Sequence, residues 1–559
     1  MSITPSLFHE TSTQSGISAY DSVPGTETHY QPFDIAEPLT DSLTAYSVNV
    51  NYGFPAFDLT SSAARWTRNS TQVEEASEAS RGWREILVSL AGIQGGAGPV
   101  SALISDDILH FEGRRAPENG LSGFGIDRLP RIVRGQGSYV FDASGKRYLD
   151  GSGGPAAFSL GHSHPEINAA INEQLSEFAH GYRYLFTTDA LEQLSAVVKE
   201  RCGGHFQDVI FCGSGSEAVE GALKTALQYF AARGLMRKRR FIGRRRSWHG
   251  NTLGALSVSD FQERRAAFEG SLLDVTFVSA ANAYRPPPGV SPDELTQHLA
   301  NELDQAIERL GPETVAAFIF EPIVGAAGGV VPAPENYCRA VREVCRKHDV
   351  LMIADEVMCG AGRSGAWRAL EHDGVIPDIM CIAKGLAGGY IPLGATLMTA
   401  EVAAPIIERH GAYQTGHTFT GHTAACAAGV AVQRVIARDR LIERVRVRGA
   451  ELKAQIRETL AAFDEVGDVR GRGYFIGIEL VRDRALKTPF PRQRRLSLDV
   501  GARCFEDGLI CFPCSGNVDG TNGDTIIVAP PYNAGDSELE EIVTKLARGI
   551  GSALRHSPA

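Results

Sequence analysis

Short apolar segments alternate with amphipathic segments between about residues 190 and 400. The clearest apolar segments, which predict strands, are Asp208–Cys212, Val315–Phe320, Val350–Ala354 and Ile379–Ala383. Helical patterns such as Glu217–Ala231 and Glu335–His348 lie between them. Alternation of this kind predicts βαβ units, and therefore an α/β fold with a mostly parallel sheet and helices on both of its faces.

Ligands of such sheets bind beyond the carboxyl ends of the strands. Two predicted strands lead to reactive side chains at that edge, since Asp355 follows Val350–Ala354 and Lys384 follows Ile379–Ala383. A lysine can act as a Schiff-base nucleophile, and a carboxylate can keep a ring nitrogen protonated. A lone lysine after a strand is more often a solvated surface charge, so this interpretation depends on the neighbouring motifs.

A Gly-Ser-Gly-Ser turn connects the strand Asp208–Cys212 to the following helix. Small residues let the backbone approach an anion, and the free N–H groups at a helix start hold phosphate well. Gly215 and Ser216 are the best placed for this role. The alternative is a tight strand-to-helix turn that binds nothing.

Two further loops carry candidate ligand contacts. Trp248 lies among small residues just before His249 and Gly250, where an exposed ring would stack on a planar ligand. A tryptophan buried in the core is the alternative. Glu321 follows the strand Val315–Phe320 and is positioned to line the same crevice.

Charge and cysteine content exclude several classes of function. A formal net charge of -11 argues against nucleic acid as a partner. No apolar run approaches the roughly 18 residues that cross a bilayer, and the N-terminus shows no signal or transit pattern. Ten cysteines in 559 residues do not form a disulfide framework, so a reducing compartment, the cytoplasm, is expected. No metal site is expected either, because Cys511 and Cys514 lack a second pair at zinc spacing.

The chain is longer than one typical domain. Residues 1–64 are rich in Ser and Thr, and residues 1–105 are predicted to form a largely irregular N-terminal extension with one helical pattern over 71–91. Residues 106–175, which contain a hairpin signal at Gly137–Asp150, predict the first part of a smaller domain. Residues 176–440 predict the large domain, and residues 441–559 complete the smaller α+β domain.

A series of motifs also occurs in the order found in one known family. Between about Pro130 and Leu546 it includes "GSGSEA", "WHGNT", "EPIVG", "ADEVMCGAGRSG", "AKGLAGGYIPLGA" and "GHTFTGHTAACAA". On these motifs the chain resembles the class III pyridoxal-phosphate-dependent aminotransferases of fold type I, and among them the amine and ω-amino acid:pyruvate transaminases. The resemblance implies pyridoxal 5′-phosphate as cofactor and a homodimer with active sites at the interface, with a tetramer as an alternative.

The resemblance also implies roles for individual residues. Lys384 would form the Schiff base with the cofactor, and Asp355 would pair with its pyridine nitrogen. Gly215 and Ser216 would bind its phosphate.

The remaining cofactor contacts follow from the same motifs. Trp248 would stack on the pyridine ring, Val357 would pack against the other face of the ring, and Glu321 would help order the site. Thr418, in "GHTFTGH", would reach the phosphate of the neighbouring subunit's cofactor.

Departures from the resembling enzymes bear on the substrate. Ala156 stands where several of them have a tryptophan, which predicts a lower pocket wall unless Tyr182 or Tyr184 fills the space. Phe512 lies in an apparent insertion, Leu509–Asp524, where many of them carry an arginine that binds a substrate carboxylate.

Other residues leave the choice of substrate open. Arg363, Arg470 or Arg472 would replace the missing arginine unless their roles are structural, which is the more common case. Met358 stands where several members have a glutamine that bonds the cofactor, and this disfavours ornithine-type and 4-aminobutyrate-type enzymes.

The expected reaction moves an amino group from a primary amine or ω-amino acid to a keto acid, with pyruvate as the expected acceptor and ping-pong kinetics. Isomerisation, racemisation, decarboxylation or elimination at the same site is the alternative, because a fold alone does not assign a reaction. A protein without activity, recruited to a partner by its N-terminal extension, is the alternative outside enzymes.

Overall fold

The computed structural model describes residues 129–555 throughout and, closer to the N-terminus, five strands between residues 2 and 69. The chain divides into two compact units, Met1–Arg114 and Arg115–Ala559. Among the described residues, no helix has the length and apolar character needed to span a membrane.

The first unit contains a three-stranded antiparallel sheet formed by Ser2–Ser15, Pro38–Phe54 and Phe57–Asn69, with Pro38–Phe54 in the centre. Two short strands, Asp21–Ser22 and His29–Tyr30, pair separately. The sequence predicted a largely irregular extension over residues 1–105, so these ranges differ from the prediction. Residues 47–52, Ser-Val-Asn-Val-Asn-Tyr, show the physical reason, because valine and asparagine alternate with the two-residue period of a strand. The helix predicted over 71–91 lies outside the described residues.

A seven-stranded sheet organises the second unit. In spatial order its strands are Val275–Val278, Arg240–Arg244, Val315–Phe320, Leu351–Asp355, Ile379–Ile382, Gly394–Met398 and Asp208–Cys212. The first five run parallel, whereas Gly394–Met398 is antiparallel to both of its neighbours. The mostly parallel sheet predicted from the alternation is therefore confirmed.

Helices cover both faces of this sheet. The longer ones are Asp189–Arg201, Gly215–Ala232, Leu295–Leu310, Tyr337–Lys347, Ala400–His410 and Thr423–Arg438. The strand Val315–Phe320 is buried along its whole length, and its side chains alternate between the two faces. Phe318 and Phe320 pack in one core with Leu303 and Val341, whereas Ile319 packs in another core with the Gly215–Ala232 helix.

A smaller α+β region contains two four-stranded sheets. One is antiparallel and consists of Val466–Arg472, Phe475–Leu480, Asp524–Val528 and Phe512–Ser515. The other consists of Ile132–Gln136, Tyr139–Asp142, Arg147–Asp150 and Leu509–Ile510. Its helices are Pro165–Glu177, Leu441–Leu460, Leu496–Glu506 and Asp536–Arg555.

The hairpin predicted within Gly137–Asp150 is present, because Tyr139–Asp142 pairs antiparallel with Arg147–Asp150. Its second strand then pairs with Leu509–Ile510 from far along the chain. The early and late parts of the chain thus share one sheet. The residue limits of the four predicted segments remain a prediction.

Candidate active site

A cavity of about 320 Å³ opens at the carboxyl ends of the central strands. Its lining contains most of the residues predicted to bind a cofactor, namely Gly215, Ser216, Trp248, Glu321, Asp355, Val357 and Lys384. These residues are widely separated in sequence, and the sheet brings them together because strands and loops from different βαβ units end at the same edge.

The start of the Gly215–Ala232 helix forms one end of the cavity. Ser214 caps this helix, since its Oγ accepts a hydrogen bond of 3.2 Å from the backbone N–H of Glu217. The Glu217 carboxylate in turn accepts a 2.6 Å hydrogen bond from the backbone N–H of Gly213, which ties the turn to the first helical residues much as a capping box does. The N–H groups of Gly215 and Ser216 have no acceptor within the helix, so this end of the cavity suits an anion.

Two glycines are required at this end because the chain segments approach closely. A Cβ atom added to Gly215 would lie 2.9 Å from Cγ1 of Val357. Gly250 has a φ of +141°, and a Cβ atom there would lie 2.5 Å from Oγ of Ser216. Any larger residue at either position would displace the groups that shape the cavity.

Asp355 is buried and held by two hydrogen bonds. Its Oδ1 accepts a 3.0 Å hydrogen bond from the backbone N–H of Val357, and its Oδ2 lies 2.7 Å from Nδ1 of His249. The backbone N–H of His249 donates to Oγ of Ser259 at 2.8 Å. Sequence reasoning did not assign a function to His249, although its position next to Trp248 at the sheet edge was a usable signal.

Lys384 follows directly after the strand Ile379–Ile382 and Ala383, and begins a single 3₁₀ turn, Lys384–Leu386. Its φ of +44° is left-handed, a conformation that costs a residue with a Cβ about 1–2 kcal/mol. Burial lowers the pKa of Lys384, and the negative charges of Asp355 and Glu321 partly oppose that shift. A lowered pKa leaves more of the amine neutral, which a nucleophile or base requires.

Glu321 connects two loops of the site. Its carboxylate accepts hydrogen bonds from the backbone N–H of Trp248 at 2.9 Å and of Gly325 at 2.8 Å. Burial raises the pKa of Glu321, and the neighbouring His249 opposes that shift. The Trp248 ring meets the ring of Phe261 edge-on, with centroids 5.7 Å apart. Trp248 is therefore half-buried on the cavity wall, rather than part of the core.

Three predicted residues do not line the cavity. Thr418 is exposed. Ala156 is buried with a φ of +62° and belongs to an apolar cluster that also includes Met358 and has Phe512 packed against it. Ala157, next to Ala156 in the sequence, and Met358 do line the cavity. The predicted effect of Ala156 and Phe512 on the substrate therefore depends on contacts outside the cavity described in this subunit.

Two arginines proposed as carboxylate ligands are buried and bonded within the fold. Arg363 is buried and donates to the carbonyl oxygens of Phe158 at 2.6 Å and Pro530 at 2.5 Å. Arg470 is also buried and bonds the Glu479 carboxylate at 2.6 Å, together with backbone carbonyls. Both guanidinium groups hold the fold together, as the structural alternative predicted.

The fold and the site define a class of enzyme, in which a lysine and a carboxylate at a sheet edge stand beside an anion-binding helix start. The sequence model of the family described as Aminotransferase class-III matches residues 127–550. The chain therefore belongs to the class III aminotransferases, as its motifs indicated.

Individual relatives agree with this class. An uncharacterized aminotransferase of Bacillus subtilis, YodT, is 38% identical over 423 residues, which cover 76% of this chain and 95% of that protein. A putrescine–pyruvate aminotransferase of Pseudomonas aeruginosa is 33% identical over 419 residues, which cover 75% of this chain and 89% of that protein.

Solved structures extend the similarity to the fold. An amine transaminase of an uncultivated Pseudomonas species, solved with PLP bound, has a TM-score of 0.73 and 32% identity, covering 78% of this chain and 100% of that chain. An (S)-enantioselective ω-transaminase of Thermomicrobium roseum also has a TM-score of 0.73 and 32% identity, covering 82% of this chain and 100% of that chain. The fold is accordingly that of the fold type I transaminases.

Enzymes of this family depend on pyridoxal 5′-phosphate, and so does this aminotransferase. The residues of the cavity fit that cofactor. The glycine at position 215 leaves room beside Val357 that a Cβ would fill, and the helix start next to it offers unpaired N–H groups to a phosphate. Lys384 and Asp355 supply an amine and a carboxylate in the same cavity.

Proposed function

We propose that this aminotransferase takes an amino group from a primary amine or an ω-amino acid and passes it to pyruvate. The composition of the cavity wall is the observation that carries the proposal. Apart from Lys384, no lysine or arginine lines the described cavity, and apolar residues such as Ala157, Met358, Ile391 and Leu393 form much of its wall. Such a wall favours a donor whose amine is attached to an uncharged, aliphatic carbon chain.

Pyruvate as the acceptor rests on similarity. The Pseudomonas aeruginosa relative is named for putrescine and pyruvate, a diamine donor and a keto acid acceptor. A diamine carries no carboxylate, so a donor of that kind would not require an arginine in the cavity.

Each residue of the cavity has a proposed part in the reaction. The bound cofactor would supply an electron sink that stabilises negative charge on the carbon next to the substrate amine. The N–H groups of Gly215 and Ser216 would hold its phosphate, and Asp355 would keep its ring nitrogen protonated. Trp248 and Val357 would confine the ring from its two faces.

Lys384 would carry the proton. Its Nζ, once neutral, would remove a proton from the substrate carbon and deliver it to the cofactor's aldehyde carbon. Burial supports this role because it lowers the pKa of the amine toward the pH at which a base works. Glu321 would keep Trp248 in place by accepting a hydrogen bond from the backbone N–H of that residue.

A homodimer is proposed because of an apolar surface on the described subunit. Tyr184, Leu185, Phe186 and Phe419 are 74%, 73%, 66% and 61% exposed, and exposed apolar groups at such density mark interaction surfaces. Thr418 lies beside Phe419 in the sequence and is itself exposed. Its hydroxyl would reach the cofactor phosphate of the second subunit; assembly of two such dimers into a tetramer is the alternative.

A cytoplasmic location is proposed on the state of the cysteines. All ten are free and buried, as expected for a protein that folds in a reducing compartment.

A donor screen tests the proposed reaction. The holoenzyme is mixed with pyruvate or 2-oxoglutarate and with a simple amine, an ω-amino acid or a diamine, and alanine or glutamate formation is measured. We expect alanine from pyruvate with at least one of these donors. Separately, donor is added without acceptor. Accumulation of the aminated cofactor supports transamination, whereas consumption of substrate with the cofactor unchanged would support isomerisation, racemisation, decarboxylation or elimination.

A further inference from the structure

An exposed arginine lies beside the Trp248 ring, which lines the cavity. Arg264 belongs to the short helix Gln262–Arg265, is exposed, and has its Cζ atom 5.8 Å from the centroid of the Trp248 ring. In the part of the chain that the structure describes, its guanidinium forms no hydrogen bond or ion pair. An arginine that offers five N–H donors at the edge of an active site is equipped to bind a carboxylate.

The other basic residues near Trp248 are already bonded. Arg246 bonds the Asp260 carboxylate at 2.7 Å, and Arg245 lies 3.8 Å from the same carboxylate. Arg265 is buried and donates to the carbonyl oxygens of its own loop, including that of Ser259 at 2.6 Å. Arg264 differs from all three because the described contact of its guanidinium is with the Trp248 ring.

The neighbouring acidic residue does not neutralise Arg264. Glu263 accepts a 3.0 Å hydrogen bond from Oγ of Ser515 and lies 3.9 Å from the guanidinium of Arg492. Its charge is thereby directed toward the strand Phe512–Ser515 and away from the Trp248 ring. A positive charge remains at the Trp248 side of the turn.

The segment Leu509–Asp524 packs on this turn. A Cβ atom on Gly520, whose φ is +98°, would lie 2.9 Å from Cγ of Gln262, so the segment approaches the Gln262–Arg265 helix closely. Burial raises the pKa of the Cys514 thiol, the nearby Glu263 raises it further, and Arg264 opposes the shift, which places Arg264 within electrostatic reach of the strand Phe512–Ser515. The segment Leu509–Asp524, which contains no arginine, thus supports the neighbouring helix that carries Arg264.

We propose that Arg264 binds the remote carboxylate of an ω-amino acid donor whose amine reaches Lys384. This proposal deepens the proposed function and rests on it. The carboxylate of such a donor is separated from its amine by a methylene chain, and the chain would lie along the apolar wall formed by Met358 and Leu393. Arg264 is therefore a specificity-determining residue, which would distinguish an ω-amino acid from the simple amine of the same length.

A pair of donors that differ only in the carboxylate tests this role. Steady-state rates with two donors, 6-aminohexanoate and hexylamine, are measured at saturating pyruvate for the wild-type holoenzyme and for Arg264→Gln, Arg264→Lys and Arg245→Gln. In Arg264→Gln we expect the KM for the amino acid donor to rise about tenfold to hundredfold, as loss of a charge-assisted hydrogen bond implies. The KM for hexylamine should change less than about twofold, because hexylamine has no carboxylate and loses no hydrogen bond to Arg264.

The other two variants distinguish a direct bond between Arg264 and the carboxylate from a general effect of positive charge in this region. Arg264→Lys keeps the positive charge and should restore part of the affinity for the amino acid donor. Arg245→Gln removes an exposed positive charge from the same region and should leave the ratio of the two KM values unchanged. Equal effects of Arg264→Gln on both donors, or the same ratio change in Arg245→Gln, would overturn the proposal.

Binding of an unreactive acid adds a readout that does not require turnover. Hexanoate should bind the wild-type holoenzyme more tightly than Arg264→Gln in isothermal titration calorimetry, and equal affinities would overturn the role of Arg264. If the wild type converts neither donor with pyruvate, the proposed function fails, and the role of Arg264 fails with it. If the wild type converts both donors and Arg264→Gln treats them as the wild type does, only the role of Arg264 fails.

Discussion

Nδ1 of His249 lies 2.7 Å from Oδ2 of Asp355, and both side chains are buried. A buried carboxylate needs a compensating partner, because leaving it unpaired is costly. His249 is that partner, while the backbone N–H of Val357 bonds the second carboxylate oxygen. The pair fixes the orientation of the carboxylate that is proposed to face the cofactor's ring nitrogen.

Replacement of His249 should therefore weaken the site by releasing the Asp355 carboxylate from its orientation. We expect His249→Leu to lower kcat about tenfold to hundredfold, because loss of a partner leaves a buried charged group unsatisfied at about 1–3 kcal/mol. His249→Asn, whose amide can still donate to Asp355, should recover part of the activity. The absorbance spectrum of the bound cofactor and its change with pH check that the effect passes through Asp355. An unchanged spectrum and pH profile in His249→Leu would contradict a positioning role.

The close approach of Gly215 to Val357 gives a second prediction. In Gly215→Ala the new Cβ would begin 2.9 Å from Cγ1 of Val357, and overpacking of this kind costs about 1–3 kcal/mol. We expect the affinity for pyridoxal 5′-phosphate to fall about fivefold to hundredfold, in line with that cost. Equilibrium dialysis of the apoenzyme measures it.

Gly270→Ala is the matched control for that change. A Cβ atom added to Gly270 would meet no heavy atom within 4 Å, and the φ of this residue carries no left-handed strain. Cofactor affinity should remain at the wild-type level in this variant. An equal loss of affinity in both variants would show that the contact with Val357 is not the cause.

The sequence predicted the parts of the fold that depend on local pattern. The strand Val315–Phe320 lies where its apolar run lies, because a strand buried on both faces reads as a continuous apolar segment. The strand Asp208–Cys212 also has the predicted limits. The hairpin after Gly137 followed from its turn residues. By contrast, the pairing of Leu509–Ile510 with Arg147–Asp150 joins segments that are far apart in the chain, and no local pattern encodes such a contact.

The same distinction applies to the site. Lys384, Asp355 and Gly215 were found because each occupies a strand end or a helix start, a position that is visible in sequence. The bond between His249 and Asp355 and the isolation of Arg264 depend on which side chains meet across the sheet edge. Arg363 shows the same limit, since the sequence left open whether it binds a substrate carboxylate or has the more common structural role, and its bonds to Phe158 and Pro530 can be seen only in three dimensions.

Glu321 should make stability depend on pH. Burial raises the pKa of this carboxyl group in the folded protein. In the unfolded chain the pKa is about 4.3. At pH values between these two pKa values, the folded state therefore binds more protons than the unfolded state. Stability from this group is therefore present below about pH 4.3 and is lost as pH rises through that window. Glu321→Gln does not titrate and should lack this loss.

Thermal unfolding of the two apoproteins between about pH 5 and pH 8, a range above the unfolded pKa, tests this effect. We expect the Tm of Glu321→Gln, relative to that of the wild type, to increase as pH rises. The Tm of the variant can be lower at pH 5, because its amide cannot accept the N–H groups of both Trp248 and Gly325. A constant difference in Tm across the range would contradict the raised pKa.

Lys384 gives the most direct prediction for activity. Its amine is the one basic nitrogen among the lysines and arginines that line the described cavity, and proton transfer by a positioned base contributes about 10²–10⁴-fold to a rate. Lys384→Ala should therefore lose at least that factor in alanine formation from pyruvate, and added methylamine should restore part of it by supplying a free amine to the space left. In the wild type, burial lowers the pKa of the free Lys384 amine, so proton transfer by this amine, once the donor has released it from the cofactor, should become faster with pH through an inflection below the usual lysine range. Stopped-flow absorbance measures both effects, and undiminished turnover in Lys384→Ala would exclude the lysine as the base.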